Sequence, residues 1–215
     1  EDAARADAVV LEVSSFQLEQ SRLFRPHVAV LLNLEPNHLE RHGSMAAYRA
    51  AKERIFAQQT PSDIAVLPAE LAHEVDHGAA RLVLYDSPPP PLPAGSEALS
   101  HVNRLNFAAA VAACRALIPG FDVSTHAVED YDTALHLPFR QQDIGSIGGV
   151  RLVNDSKATS PAAALAALRS VAGPIVLLLG GRSKKGGYDT LARALRNCSV
   201  RAVIVFGEAR DELAG

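Results

Sequence analysis

The 215-residue sequence predicts an α/β protein on a parallel sheet covered by helices on both faces. Three observations carry this prediction. Strand and helix signals alternate along the chain. The strand candidates are short, continuous apolar runs with β-branched residues. Five polar or glycine-rich segments each follow a strand candidate, where ligands bind in open α/β sheets.

The elements follow in order. Ala8–Val13 and Val28–Leu32 read as strands, and helical spacing runs from Ser44 to about Gln58. Ile64–Leu67 and Leu82–Tyr85 are strand candidates. The proline run 87–93 excludes helix and central strand and predicts an exposed loop. An alanine-rich helix is expected over 102–117, with Phe107, Val111, Cys114 and Ile118 on one side. A boundary near Leu137-Pro138 divides residues 1–137 from 138–215. Beyond it come a strand at Val150–Val153, a helix at 161–171, a strand at Ile175–Leu179, a helix at Asp189–Leu195 and a strand at Ala202–Phe206. Ser160 before Pro161 supplies a capping hydroxyl and a proline for the first helical position.

Composition narrows the function classes. A hydrophobic fraction of 48% and a charged fraction of 21% are ordinary for a globular chain. The net charge of −3, without a basic stripe, gives no nucleic-acid surface. No apolar run reaches the length of a membrane span. The N-terminus lacks the basic start and apolar centre of a signal peptide. Cys114 and Cys198 lie far apart without metal-ligand spacing, as expected of reduced thiols in a cytoplasmic protein. No internal repeat is present, and no phosphate loop of the form G-x-x-x-x-G-K-[ST] occurs.

The segment Glu12-Val13-Ser14-Ser15-Phe16-Gln17-Leu18-Glu19 carries most information. A carboxylate and two hydroxyls delivered to a strand end suit a hard cation or phosphates. Lys52 shares a helix face with Met45, Tyr48, Ile55 and Phe56. Desolvation there lowers an amine pKa, and a neutral amine reacts with CO₂ to give a carbamate, an oxygen ligand for Mg²⁺. The alternative is a packed stem with its ammonium in water. His38 and Glu12 are candidate metal ligands, against a hydrogen-bonded structural histidine. Glu35, Glu40 and His42 crowd the same loop, with plain solvation as the alternative. Asp155 suits ribose hydroxyls and Lys157 a carboxylate or phosphate, against a surface ion pair. Lys184 and Lys185 lie among four glycines and suit an anion or a closing lid, against a solvated loop. Asn103 and Asn106 share a helix face and either cap it or read a base.

Together these residues resemble the Mur ligase family of ATP-dependent amide-bond-forming enzymes. Glu12 to Glu19 looks like the signature of the branch that adds D-glutamate. Asn37-His38 with Arg41, and Tyr48-Arg49-Ala50-Ala51-Lys52-Glu53-Arg54-Ile55, are similar to the family's central-domain motif. Asn103-Arg104-Leu105-Asn106 resembles its asparagine-containing helix start. Pro138-Phe139-Arg140 and Asn154-Asp155-Ser156-Lys157-Ala158-Thr159 resemble motifs opening its C-terminal domain. Phe139 stands where relatives often have histidine. Ser183-Lys184-Lys185-Gly186 replaces the family's Asp-Lys-Gly, which leaves open whether Lys184 or Lys185 meets substrate.

The resemblance implies a partial central ATP-binding domain over 1–137, on a mixed or parallel sheet with helices. It implies a partial Rossmann-like parallel C-terminal domain over 138–215. The chain is then expected to be part of a longer, monomeric enzyme and inactive alone. The substrates implied are UDP-N-acetylmuramoyl-L-alanine and D-glutamate, joined through an acyl phosphate, with no nucleic acid or membrane partner. ATP, two Mg²⁺ ions and a carbamate on Lys52 are the implied cofactors. By resemblance, Glu12, His38 and Lys52 serve the metals and the attack geometry. Asn106, Arg140 and Asp155 contact the nucleotide. Lys157, Thr159 and Lys184 position D-glutamate, and Ser14 contacts the muramoyl substrate. Alternatives are a sibling ligase, a folylpolyglutamate synthetase and a non-catalytic α/β nucleotide-binding module.

Overall fold

The computed structural model describes residues 7–85, 101–125, 137–182 and 188–214. The proline run and Lys184–Lys185 lie outside the described residues. In the first half, β1 (Val28–Val30), β2 (Ile64–Pro68) and β3 (Arg81–Tyr85) form a parallel sheet in the order β1-β2-β3. All five positions of β2 are buried. A strand enclosed on both faces and along both edges must be apolar throughout, and Ile64-Ala65-Val66-Leu67 is. Ala65 and Leu67 face a core of Ala29, Leu31, Phe56 and Val75. Ile64 and Val66 face Ala108 and Ala109 of the long helix His101–Leu117, whose small side chains permit close approach. That helix is labelled α4 below. Its Phe107 and Val111 pack on Val123 instead. Ile118, expected on the same side, lies beyond the helix end and is exposed.

The strand predicted at Ala8–Val13 does not form. Among the described residues, 8–14 belong to no helix or strand, and Val10 is 99% exposed. An apolar run becomes a strand only when a neighbour takes its backbone groups. Among the described residues β1 pairs with β2 alone.

The second half departs from strict parallel alternation. β4 (Gln142–Ile147) and β5 (Val150–Asn154) form an antiparallel hairpin. Gly148 and Gly149 turn it at φ 58° and 79°, the left-handed pair of a two-residue hairpin loop. β5 is the expected strand. β4 escaped detection because Asp143, Gly145 and Ser146 interrupt any apolar run, although the Gly-Gly pair between Ile147 and Val150 is a hairpin signal. β6 (Ile175–Gly180) and β7 (Val200–Phe206) are parallel, as expected. Gly180 is required there, since a Cβ would sit 2.6 Å from Phe206. Val176 and Leu178 are exposed, so among the described residues β6 is covered on one face rather than both. Helices Pro161–Ser170, Tyr188–Leu195 and Arg210–Ala214 complete the half, and Ser160 caps the first by accepting from Ala163 N–H.

Arg25 and Asp63 tie the approach to β1 to the approach to β2. Arg25 Nε donates to Asp63 Oδ2 at 2.7 Å, and so does the Thr60 N–H at 2.7 Å. The Arg25 hydrogen bond, then that of Thr60, holds the Asp63 carboxyl down at about 2, from 3.8. A depressed carboxyl contributes stability above its unfolded pKa, lost as pH falls through the folded one. Thermal melts should therefore show a loss of stability between pH 3.8 and about 2 that Asp63→Asn removes. Leu67→Ala, at a fully buried position, should cost about 2–5 kcal/mol in urea unfolding.

Candidate functional site

The site grows from three short helices between the N-terminal segment and β2. α1 is Ser15–Gln20, α2 is Leu39–His42 and α3 is Met45–Glu53. Ser14 and Gln17 form a reciprocal capping box at the start of α1. The Gln17 N–H donates to Ser14 Oγ at 3.3 Å, and the Ser14 N–H donates to Gln17 Oε1 at 2.9 Å. Ser14, which is exposed, also starts the helix, a role its Ser-x-x-Gln spacing could have revealed. The far end of α1 is held by Arg54, which donates to the carbonyls of Leu18 and Ser21. Ser44 caps α3 by accepting from the Ala47 N–H.

His38 follows the carboxyl end of β1, as the strand-end rule requires. It starts α2 in the left-handed region, at φ 54° and ψ 32°. A non-glycine residue held there stores about 1–3 kcal/mol of strain, a cost that concentrates at functional positions.

A chain of ring contacts then runs across the three helices. His38 meets Phe16 edge-on, with ring centroids 4.9 Å apart. Phe16 stacks on His42 at 5.5 Å. His42 tilts against Tyr48 at 5.3 Å. Lys52 Nζ stands 5.3 Å above the Tyr48 ring. Burial pushes the Lys52 amine below its ordinary pKa. Burial, with Glu35 nearby, pushes the Tyr48 phenol up. Two predicted residues, His38 and Lys52, therefore belong to one cluster. His42, for which solvation was an alternative, is instead buried at its centre. Glu12 is exposed, in the segment before α1. No group of three or more His, Cys, Asp or Glu side chains placed to hold a metal occurs among the described residues.

A second cluster forms where the hairpin meets the segment after β5. The Gln141 N–H donates to Asp155 Oδ1 at 3.1 Å, and the Lys157 N–H donates to the Phe139 carbonyl at 3.1 Å. Burial raises the Asp155 carboxyl pKa, against lowering by the Gln141 N–H and the Arg140 charge. Arg140 and Asp155, predicted to share a ligand, are thus neighbours. Phe139 and Gln141, on either side of Arg140, both have positive φ, at 65° and 47°. Gln141 escaped sequence reasoning because nothing in its spacing marks a backbone donor. Lys157, Thr159 and Asn106 are exposed. Lys184 lies outside the described residues.

Residues 1–81 match the Mur ligase middle domain. The UDP-N-acetylmuramoylalanine–D-glutamate ligase of Oleidesulfovibrio alaskensis is 40% identical over 210 residues, which are 97% of this chain and 46% of that protein. The chain is related to the Mur ligases. A second ligase of the same description, from Pelotomaculum thermopropionicum, is 34% identical over 97% of the chain and 50% of its own length. The chain spans about half the length of these curated relatives. Among solved structures, a MurF ligase from Thermotoga maritima in complex with ADP superposes with a TM-score of 0.64 at 22% identity, covering 85% of this chain and 49% of that one. MurF from Acinetobacter baumannii gives 0.64 at 20% identity, covering 88% and 49%. These structures share the Mur ligase fold. Among the described residues, no helix is long and apolar enough to cross a membrane.

Within this Mur ligase relative, Lys52 should acylate at lower pH than a solvated lysine side chain, because burial favours its neutral amine. Competitive labelling with peptide mass analysis checks this.

Proposed function

We propose that the chain carries the catalytic core of an ATP-dependent ligase adding D-glutamate to UDP-N-acetylmuramoyl-L-alanine, in peptidoglycan precursor synthesis in the cytoplasm. The observation that carries this is the 40% identity over 97% of the chain to a ligase of that description. The partly buried Lys52, with its lowered pKa and its place in one ring cluster with His38, supports it independently.

The residues present suit hard cations. A desolvated amine is the state that takes up CO₂, and the carbamate so formed would add two oxygens to a site otherwise short of carboxylates. Glu12, His38 and carbamylated Lys52 would hold two Mg²⁺ ions, which would offset phosphoryl charge. Asn106, Arg140 and Asp155 would bind the nucleotide. Arg140 would supply the phosphate-facing charge, while Asp155, fixed by the Gln141 N–H, would accept from ribose hydroxyls. The substrate carboxylate would become an acyl phosphate by transfer from ATP. The amine of D-glutamate would attack it and phosphate would leave. Lys157, Thr159 and Lys184 would orient the amino acid's carboxylates, and Ser14 would approach the muramoyl substrate. The working species would be a monomer.

A D-glutamate-dependent ADP-forming rate in the intact ligase, absent with other amino acids, tests the specificity. A rate with a different amino acid or with a folate would move the chain to a sibling branch. Lys52→Ala should lower that rate by about 10–100-fold and recover part of it with a small carboxylic acid. Labelled bicarbonate at alkaline pH should add a carbamate to Lys52 by mass analysis. The 215 residues contain no G-x-x-x-x-G-K-[ST] loop, so a protein of these residues alone should form no ADP above background. A steady rate from it, dependent on both substrates, overturns that expectation.

A further inference from the structure

His42 has no part in the chemistry proposed above, yet its side chain is 1% exposed at the middle of the cluster. Its Nε2 lies 3.0 Å from Ser15 Oγ in a buried hydrogen bond. Its Nδ1 is buried without a hydrogen-bond partner, 3.7 Å from Glu19 Oε1. Burying such a polar atom costs about 1–3 kcal/mol, so an apolar ring would fill the space at lower cost if packing were the only requirement. The Glu19 carboxylate facing Nδ1 favours the tautomer with the proton there. Nε2 then accepts from the Ser15 hydroxyl, which fixes the ring plane. Glu19 is itself held by Arg41 at 3.2 Å, and Arg41 lies over the Phe16 ring.

We propose that His42 is a positioning residue that sets His38 and Lys52 relative to one another. Its ring stacks on Phe16, which meets His38 edge-on. The same ring tilts against Tyr48, over which Lys52 stands. Two residues from different helices are thereby indexed to one ring, and the Ser15 hydrogen bond orients that ring. The functional meaning rests on the proposed roles of His38 and Lys52, whereas the positioning itself is a property of the fold.

Proton NMR of the full chain tests this, because aromatic rings displace the resonances of groups lying over or beside them. The Lys52 ε-methylene should be shifted by Tyr48 and the His38 ring protons by Phe16. His42→Ala should return both sets toward random-coil values together. His42→Phe, which keeps a ring at that place, should restore most of both shifts. Ser15→Ala, which removes one oxygen from a residue 7% exposed, should reduce both in part and serves if His42→Ala does not fold. Asp63→Asn should lower stability and leave both shifts unchanged. Shifts that survive in folded His42→Ala, respond to Ser15→Ala at only one of the two residues, or collapse equally in Asp63→Asn would overturn the proposal. Absence of a labelled carbamate on Lys52, with the shifts behaving as expected, would refute the ligase role of Lys52 and leave the positioning intact.

Discussion

The enclosure of β2 on both faces and both edges is the constraint from which the first half of the molecule follows. No site residue lies on β2. Its parallel pairing with β1 nevertheless fixes where β1 ends, and so where the loop bearing His38 starts. Its opposite faces require Phe56 on one side and the alanines of α4 on the other. Phe56 lies just beyond α3, so the burial that closes the core also anchors the helix presenting Tyr48 and Lys52. Hydrophobic burial at the sheet is converted into the placement of polar groups some residues away.

The site itself is assembled differently. α1, α2 and α3 are short, and helices of that length do not hold themselves. Caps and cross-links do so instead: Ser14 with Gln17 at one end of α1, Arg54 on its last carbonyls, Ser44 under α3 and His42 between aromatic rings. Tertiary contacts therefore supply most of the order here, and the same contacts adjust the chemistry. Burial pushes the Lys52 amine below its ordinary pKa, and that amine stands over the Tyr48 ring.

The second half shows the same relation between backbone and charge. Asp155 is held by a main-chain donor from Gln141, and the residues flanking Arg140 adopt left-handed backbone that only a surrounding structure can impose. Arg140 is placed near Asp155 by a hairpin connection rather than by proximity in sequence.

Periodicity and composition alone determined the α/β class, six of the strands, the long alanine-rich helix and the capped helix after Ser160. These depend on local apolar runs and capping chemistry, which a linear sequence displays. The motif resemblance named the ligase family and added Arg140 to His38, Lys52 and Asp155, which the residue patterns had already marked. Only the tertiary structure decided that Ala8–Val13 pairs with no strand among the described residues, because strand formation depends on a neighbour and not on hydrophobicity. It also revealed β4, whose polar and glycine residues hide a strand that two-residue glycine turning makes possible. The centrality of His42 was equally invisible, since its contacts join residues distant in sequence, and burial is settled by what packs against a side chain rather than by the side chain itself.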